Sequence, residues 1–407
     1  MQTPQPNTPD FVLRHPILTA LALSLGTAIA LGVARFSYAL LLTPMREDLA
    51  WSYLVAGGMN TGNALGYLLG ALMTPLLMRR HPAHHVLVAG AFGTALLTFV
   101  PGFVTDTSTQ LALRVITGIT SALLFVAGGL LVSRLAAQHA QRAGLLLGLY
   151  YGGTGLGIVA ASLLIPPVLQ AAAHHGAPHP WQWAWLLLGT LALLASVLMT
   201  LPARLIPTPA AQASAGGGFK ARHLKFGLLG YLMFGLGYIG YMTFVIALLK
   251  EAGMAPQRIT LFFTLLGVAT FVSSRLWARM LDRFRGGQSL AILNALLCLA
   301  TLLPAWTTEP LLVFASGILF GACFLSAVAS TTAMVRHNLP PAHWSAGISA
   351  FTIVFAAGQI VGPTIVGWIA DGTGGLQRGL VFSALALGAG ALLAGCQRPL
   401  ASAHLQQ

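Results

Sequence analysis

A chain of 407 residues with 56% hydrophobic and only 7% charged side chains, and a mean hydropathy of +0.79, has too few charged groups to cover a water-exposed surface of its size; lipid must be its main solvent. The formal charge of +13 and pI near 10.5 would suggest nucleic acid in a soluble protein, but the basic residues lie between apolar runs, so no nucleic-acid partner is expected. Cys298, Cys323 and Cys396 fall within or at the ends of apolar stretches, without paired spacing or a histidine at ligand distance, so no disulfide, metal or cofactor is expected.

In chain order, apolar stretches of roughly 20 residues or more, the length that crosses a bilayer, are predicted at Pro16 to Leu42, Trp51 to Leu77, Val86 to Val104, Leu111 to Leu131, Gly144 to Val168 and Trp181 to Leu201. A second set runs Leu224 to Leu249, Ile259 to Trp277, Leu290 to Trp306, Leu311 to Val335, Ser345 to Ala370 and Leu380 to Gly395. The pattern predicts an all-α integral membrane protein: a tail over 1–15, a six-helix bundle over 16–201, a linker over 202–223, a second six-helix bundle over 224–396 and a tail over 397–407. The linker is rich in Pro, Ala, Gly and Ser and runs into the basic cluster Lys220, Arg222 and Lys225. Arg14 before an apolar core imitates a signal peptide, but the core is too long and many spans follow, so the segment is expected to be retained.

The loops set an orientation. With the N-terminus cytoplasmic, that side holds Arg79, Arg80, Arg134, Arg142, Arg204, Lys220, Arg222, Lys225, Arg279, Arg283, Arg285 and Arg336, with Arg14 and Arg398 at the termini. The opposite side carries Arg46, Lys250, Arg258 and Arg378 and most of the acids, namely Glu47, Asp48, Asp106, Glu251, Glu309 and Asp371. This Lys/Arg bias predicts cytoplasmic termini and linker, in a multi-pass protein of the cell inner membrane.

The two sets align at a spacing of about 200 residues, the mark of an internal repeat. Gly32 falls opposite Gly237, Asp106 opposite Glu309, Gly118 opposite Gly317, Gly144 opposite Gly347 and Arg134 opposite Arg336. The stretch from Arg279 through Asp282, Arg283 and Arg285 to Gly286 resembles a degenerate Gly-x-x-x-Asp-Arg-x-Gly-Arg loop of the major facilitator superfamily, and its first-half counterpart, Met78-Arg79-Arg80, lacks the aspartate. Arg114 and Gly118 match that family's Arg-x-x-x-Gly pattern. Gly148, Gly152, Gly153, Gly155 and Gly157 resemble its Gly-rich fifth helix, with the Gly-Pro pair displaced to Gly362-Pro363 in the eleventh. More specifically, Gly32-Val-Ala-Arg35-Phe36-Ser-Tyr38, Asn60 to Tyr67, Phe234 to Phe244 and Gly358-Gln359-x-x-Gly362-Pro363 look like the YbfB/YjiJ-type branch. The resemblance implies the superfamily's fold of twelve transmembrane helices in two bundles related by a pseudo-two-fold axis.

The chemistry is sought among polar groups that the bilayer penalises. Arg35 lies roughly two and a half turns inside the outer end of the first helix, where a charge costs a few kcal/mol unless it faces a cavity or partner. Arg114 enters from the outer end of the fourth helix, and by the resemblance helices one and four line a central cavity. No Asp or Glu lies within any predicted span, which disfavours a cationic cargo, whereas guanidinium groups favour a carboxylate or similar oxyanion. The structural alternative pairs Arg35 with Glu47 or Asp48 and Arg114 with Asp106. Asn60, Asn63 and Tyr67 share one face of the second helix, and Tyr231, Phe234, Tyr238 and Tyr241 one face of the seventh; each set reads either as cargo contacts or as packing. Gln359 beside Gly362-Pro363 reads the same two ways. His174, His175 and His179 in an outer loop read as solvated histidines.

The candidate substrate-binding set is therefore Arg35, Tyr38, Asn60, Asn63, Arg114, Tyr238, Tyr241 and Gln359, and the candidate gating set Asp282, Arg283, Gly153, Gly157, Gly358, Gly362 and Pro363. The expected function is secondary active transport of a small solute, an organic anion by the arginines, through alternating access, with a proton as a candidate co-substrate. The alternative is efflux of hydrophobic or weakly charged compounds through an aromatic, Met-containing cavity. A membrane enzyme is not expected, since no nucleophile, metal cluster or acid–base pair assembles near the interface. The expected partners are the cargo and the lipid bilayer, with the chain a monomer.

Overall fold

The computed structural model describes residues 14–206, 221–340 and 343–400; the remaining parts of the predicted tails and linker, Lys220 among them, lie outside the described residues. Twelve long helices follow in order: α1 Pro16–Asp48, α2 Tyr53–Met78, α3 Ala83–Phe103, α4 Thr107–Gln138, α5 Ala143–His174, α6 Pro180–Arg204, α7 Lys225–Glu251, α8 Pro256–Leu276, α9 Gln288–Trp306, α10 Pro310–Asn338, α11 Trp344–Ala370 and α12 Gly375–Gly395. A short helix, Ala278–Arg283, lies between α8 and α9. Helix is the form a bilayer demands, because each segment must satisfy its own backbone.

Local chemistry marks the ends. Proline stands at the start of α1, α6, α8 and α10, where its missing N–H costs nothing. Gly176 and Gly253 take positive φ just past α5 and α7, a conformation glycine adopts without steric penalty. Outward, Leu72, Leu198, Leu385 and Leu392 are more than half exposed, the surface a lipid solvent favours. Eleven of the helices are long and apolar enough to span a membrane. The exception is α2, whose 26 residues reach ~39 Å at the usual rise; Asn60, Thr61 and Asn63 interrupt its apolar run.

Two compact units emerge. One takes the chain through Ser37 and from Gly66 to the linker; the other takes Tyr38–Leu65 and everything beyond the linker. The part of α1 from Tyr38 onward and the part of α2 through Leu65 thus group with α7 and α11, and close backbone approach accompanies the grouping. A Cβ on Gly57 would overlap the Pro363 carbonyl, one on Gly367 would overlap the Tyr53 carbonyl, and the Thr61 hydroxyl lies 2.7 Å from both the Ile360 carbonyl and the Thr364 hydroxyl.

Within the first unit, α5 crosses α1 through Gly153 and Gly157, whose missing Cβ atoms leave room for the Ser24 and Ala28 carbonyls. Within the second, α11 crosses α7 through Gly358 and Gly362, where a Cβ would stand 2.5 Å from the Leu232 and Leu236 carbonyls. The same device thus recurs at equivalent helices of the repeat.

Candidate functional site

In the first unit, the site is built around a departure from α geometry. Ala28–Phe36 of α1 is π-helical, and the Ser37 N–H reaches back five residues to the Gly32 carbonyl at 3.0 Å. Such stretches are rare and concentrate at functional sites. At the junction the Val33 carbonyl accepts from the Ser37 hydroxyl, and the Ala34 carbonyl accepts from Arg114 Nη1 at 3.0 Å.

Arg35 stands in the last turn of this stretch, 3% exposed, its guanidinium carbon 5.7 Å from the Tyr67 ring centroid and 5.9 Å from that of Phe36. Arg114, on α4, is buried, with its guanidinium carbon 4.7 Å from the Trp185 ring. The space beside Arg114, lined by Ala34, Gln110, Thr117 and Trp185 among others, is about 10 Å³, room for roughly one water. The two cations therefore address neighbouring residues of one helix, with Arg114 bound to the backbone immediately before Arg35.

Two of the acids considered from the sequence, Asp106 and Glu47, have partners of their own. Asp106 caps α4, accepting from the Thr109 N–H and hydroxyl, both at 2.7 Å; the Thr109 hydroxyl and N–H, then Ser108, hold its carboxyl below the usual range. Glu47 lies 3.3 Å from Lys250.

In the second unit, the remaining polar candidates are paired into the packing. Tyr38 is fully buried and donates to the Ala56 carbonyl at 3.0 Å. Asn60 Nδ2 donates to the Thr243 hydroxyl at 2.7 Å, while the buried Asn60 Oδ1 has no hydrogen-bond partner among the described residues. Asn63 is buried one turn further along α2. Tyr238 donates to Gln359 Oε1 at 2.9 Å inside a stack with Phe234 and Phe355 at 4.8 and 5.5 Å. Tyr241 lies on Phe320 at 4.0 Å, its hydroxyl 2.7 Å from that of Ser316. Tyr67 faces Phe125 and Arg35 in the first unit, so the α2 stripe serves two surroundings.

Of the gating candidates, Gly153, Gly157, Gly358 and Gly362 lie at the crossings described above, and Pro363 against Gly57. Asp282 and Arg283 are exposed on the short helix; Asp282 has no hydrogen bond or ion pair among the described residues, and Arg283 lies over Phe284 at 5.9 Å.

Sequence reasoning missed a polar knot in the second unit, where α2 begins and α7 and α11 end. Asp371, after α11, accepts from the Tyr53 N–H at 2.7 Å and the Leu54 N–H at 2.8 Å, while Ser52 accepts from the Val55 N–H at 3.2 Å, so the start of α2 carries two caps. The Tyr53 hydroxyl donates to Glu251, and the Arg46 guanidinium stacks on the Tyr53 ring at 4.1 Å. Ser52 three residues before Val55 was a readable cap signal; Asp371 was visible only as an outer-loop acid.

A family profile described as "Uncharacterised MFS-type transporter YbfB" matches residues 27–395. The chain belongs to this YbfB-type family of major facilitator superfamily transporters. Two curated relatives from Agrobacterium vitis, each named "Putative tartrate transporter", are 24% identical, over 375 residues covering 84% of both chains and over 381 residues covering 84% of this chain and 81% of the relative. Among solved structures, this MFS protein resembles a point mutant of the nucleoside transporter NupG (TM-score 0.71, 14% identity, 93% of this chain and 98% of that one). It also resembles an inward-facing, unoccupied bacterial homologue of the human lysosomal transporter Spinster (0.69, 15%, 93% and 96%) and FucP in an outward conformation (0.63, 16%, 93% and 98%). These structural likenesses carry the fold. The MFS protein is thus a multi-pass membrane transporter and not an enzyme.

Proposed function

We propose that this MFS transporter carries a small organic anion, of the dicarboxylate class, by alternating access, with Arg35 as the cation that receives it. The observation that carries the reading is the buried Arg35 guanidinium in the π-helical part of a spanning helix, within 5.9 Å of the ring centroids of both Tyr67 and Phe36. A cation at the centre of a spanning helix costs about 2.5–3.5 kcal/mol on insertion scales, which marks such residues as candidates for function. A guanidinium offers a carboxylate two parallel hydrogen bonds, stronger where water is excluded. Arg114, bound to the Ala34 carbonyl, braces the segment that presents Arg35. The acids of the described long helices stand only at their ends, as Glu47, Asp48 and Glu251 do, and the curated relatives are named for tartrate, an organic dianion.

In this reading both termini face the cytoplasm of the inner membrane, and any coupled proton rides on the cargo or on a rim carboxylate, there being no buried acid among the described residues to hold it. The transporter works as a monomer. The aromatic stack around Tyr238 favours, as a second reading, an apolar or weakly charged cargo exported from the cell.

The test is thermal unfolding of the detergent-purified protein against tartrate, other dicarboxylates, lipophilic cations and neutral compounds, with Arg35→Ala and Arg35→Lys alongside. A ligand at 100 times its Kd adds about 2.7 kcal/mol to apparent stability. Stabilisation by dicarboxylates, absent in Arg35→Ala, is the expected result. Stabilisation by lipophilic cations alone, or dicarboxylate binding unchanged in Arg35→Ala, refutes the anion reading.

A further inference from the structure

We infer that the end of the second unit where α7 begins and α12 ends holds a binding site for the phosphodiester head group of an anionic phospholipid. A cavity of about 560 Å³ opens there, with Arg222, His223, Lys225, Gln397, Arg398 and Leu400 in its lining. Its walls are held by one buried side chain. Gln397, 5% exposed, accepts from the Gly227 N–H at 3.2 Å and donates to the His223 carbonyl at 3.1 Å and the Arg398 carbonyl at 2.9 Å, tying the segment before α7, the first turn of α7 and the chain after α12 into one concave frame. The Gly287 N–H donates to the Gln397 carbonyl at 2.9 Å, and the Leu400 N–H to Asn338 Oδ1 at 2.7 Å, fixing the outer wall.

The charge in this frame is one-sided. Arg222, Lys225 and Arg398 are exposed, no acid lines the cavity, and none of the three makes an ion pair among the described residues. Converging cations without a counter-ion select a compact oxyanion, and the two guanidinium groups suit phosphate geometry. The flanking surface selects its source. Leu229, one turn into α7 from Lys225, is 43% exposed, and Leu392, one turn into α12 from Cys396, is 76% exposed. Both present exposed apolar surface one helical turn from residues that line the cavity, which suits acyl chains attached to a bound head group. A free phosphate would leave that surface unused. The site needs only that the chain spans a bilayer, and stands apart from Arg35 and its cargo.

The experiment is native mass spectrometry of the intact, detergent-purified transporter equilibrated with phosphatidylglycerol, phosphatidylcholine or inorganic phosphate. Three basic groups at about fivefold each give roughly a hundredfold preference for phosphatidylglycerol over phosphatidylcholine. That preference should fall to near parity in Arg222→Gln/Lys225→Gln/Arg398→Gln and persist in the charge-retaining Arg222→Lys/Arg398→Lys. Single Arg398→Gln, at an exposed position, should lose about fivefold and keeps the test sound if the triple variant folds poorly. Equal retention of both lipids by the unaltered protein overturns the site. Displacement of phosphatidylglycerol by millimolar inorganic phosphate overturns the lipid as ligand and leaves a soluble-anion pocket.

Discussion

Removing the Asp371 carboxylate tests the knot at the start of α2 most directly. Its two oxygens accept from the Tyr53 and Leu54 N–H groups at 2.7 and 2.8 Å, and those amides belong to the first turn of α2, where no intrahelical acceptor exists. Loss of a cap costs about 0.5–2 kcal/mol, and hydrogen bonds to a charged acceptor sit at the upper end. Because Asp371 is exposed and Leu54 faces solvent, water replaces part of the loss, which leaves about 1–1.5 kcal/mol for Asp371→Ala. Local opening of the α2 start should then become about five- to twelvefold more frequent. Hydrogen exchange resolved on peptides from Tyr53 to Leu65 reads this, with peptides from α4 as the internal control. Asp371→Asn, which keeps one acceptor but not the charge, should fall between. Unchanged exchange at Tyr53 and Leu54 in Asp371→Ala would refute the assignment of Asp371 as a cap, and a uniform rise across the chain would show a global effect instead.

Adjacent glycines in α2 offer a contrast: Gly57→Ala meets the Pro363 carbonyl and should lower the unfolding midpoint, whereas Gly58→Ala meets nothing within 4 Å and should be neutral or gain about 0.5–1 kcal/mol as a helical position. Tyr238→Phe leaves buried Gln359 Oε1 without its 2.9 Å donor and should cost about 1–3 kcal/mol, more than Gln359→Met, when both are measured by denaturant-induced unfolding in the same detergent. The lowered Asp106 carboxyl contributes stability that is present above the ordinary carboxylate range and lost as pH falls through its folded value. The gap in melting temperature between wild type and Asp106→Ala should therefore be widest at pH 7 and narrow as pH falls below about 4 and through the folded value, and a gap independent of pH would remove the charge from the explanation. Arg114→Gln removes a charged donor from the Ala34 carbonyl and should destabilise by about 1.5–3 kcal/mol even without cargo, which a residue acting only on cargo would not do.

The spans were legible because lipid makes composition speak: a run of apolar residues has few other uses, and the helix ends carry proline and glycine where their backbone geometry fits. The family was legible in motifs around Arg35, Tyr238 and Gly362. What the sequence did not disclose is relational. Tyr238 and Gln359 both attracted notice, but only the fold joins their side chains across 121 positions, and nothing near Asp371 announces that it caps a helix 318 residues earlier. Nothing in the sequence around Trp185 says that its ring lies 4.7 Å from the Arg114 guanidinium carbon. The grouping of Tyr38–Leu65 with the second unit follows from backbone contacts at Gly57 and Gly367, and a glycine in a sequence does not say which helix it admits. The π-helical turns of α1 left no mark at all, since Ala28–Phe36 has a composition any α-helix could use.

Those wide turns set the phase of everything after them. A helix that closes on the fifth residue where its flanks close on the fourth has absorbed an extra position, and one position is an angular step of roughly 100°. The face of α1 that meets Gly157 through Gly32 and the face that buries Tyr38 against Ala56 are therefore two aspects of one helix, offset by the turns between them. Deleting a single residue between Ala28 and Ala34 would let those turns close as ordinary α-helix and leave Tyr38 facing Ala56, whereas the same deletion between Tyr38 and the end of α1 has no wide turn to absorb it. The wide turns are thus the slack in α1, the place where the chain holds one residue more than an α-helix of the same reach would need.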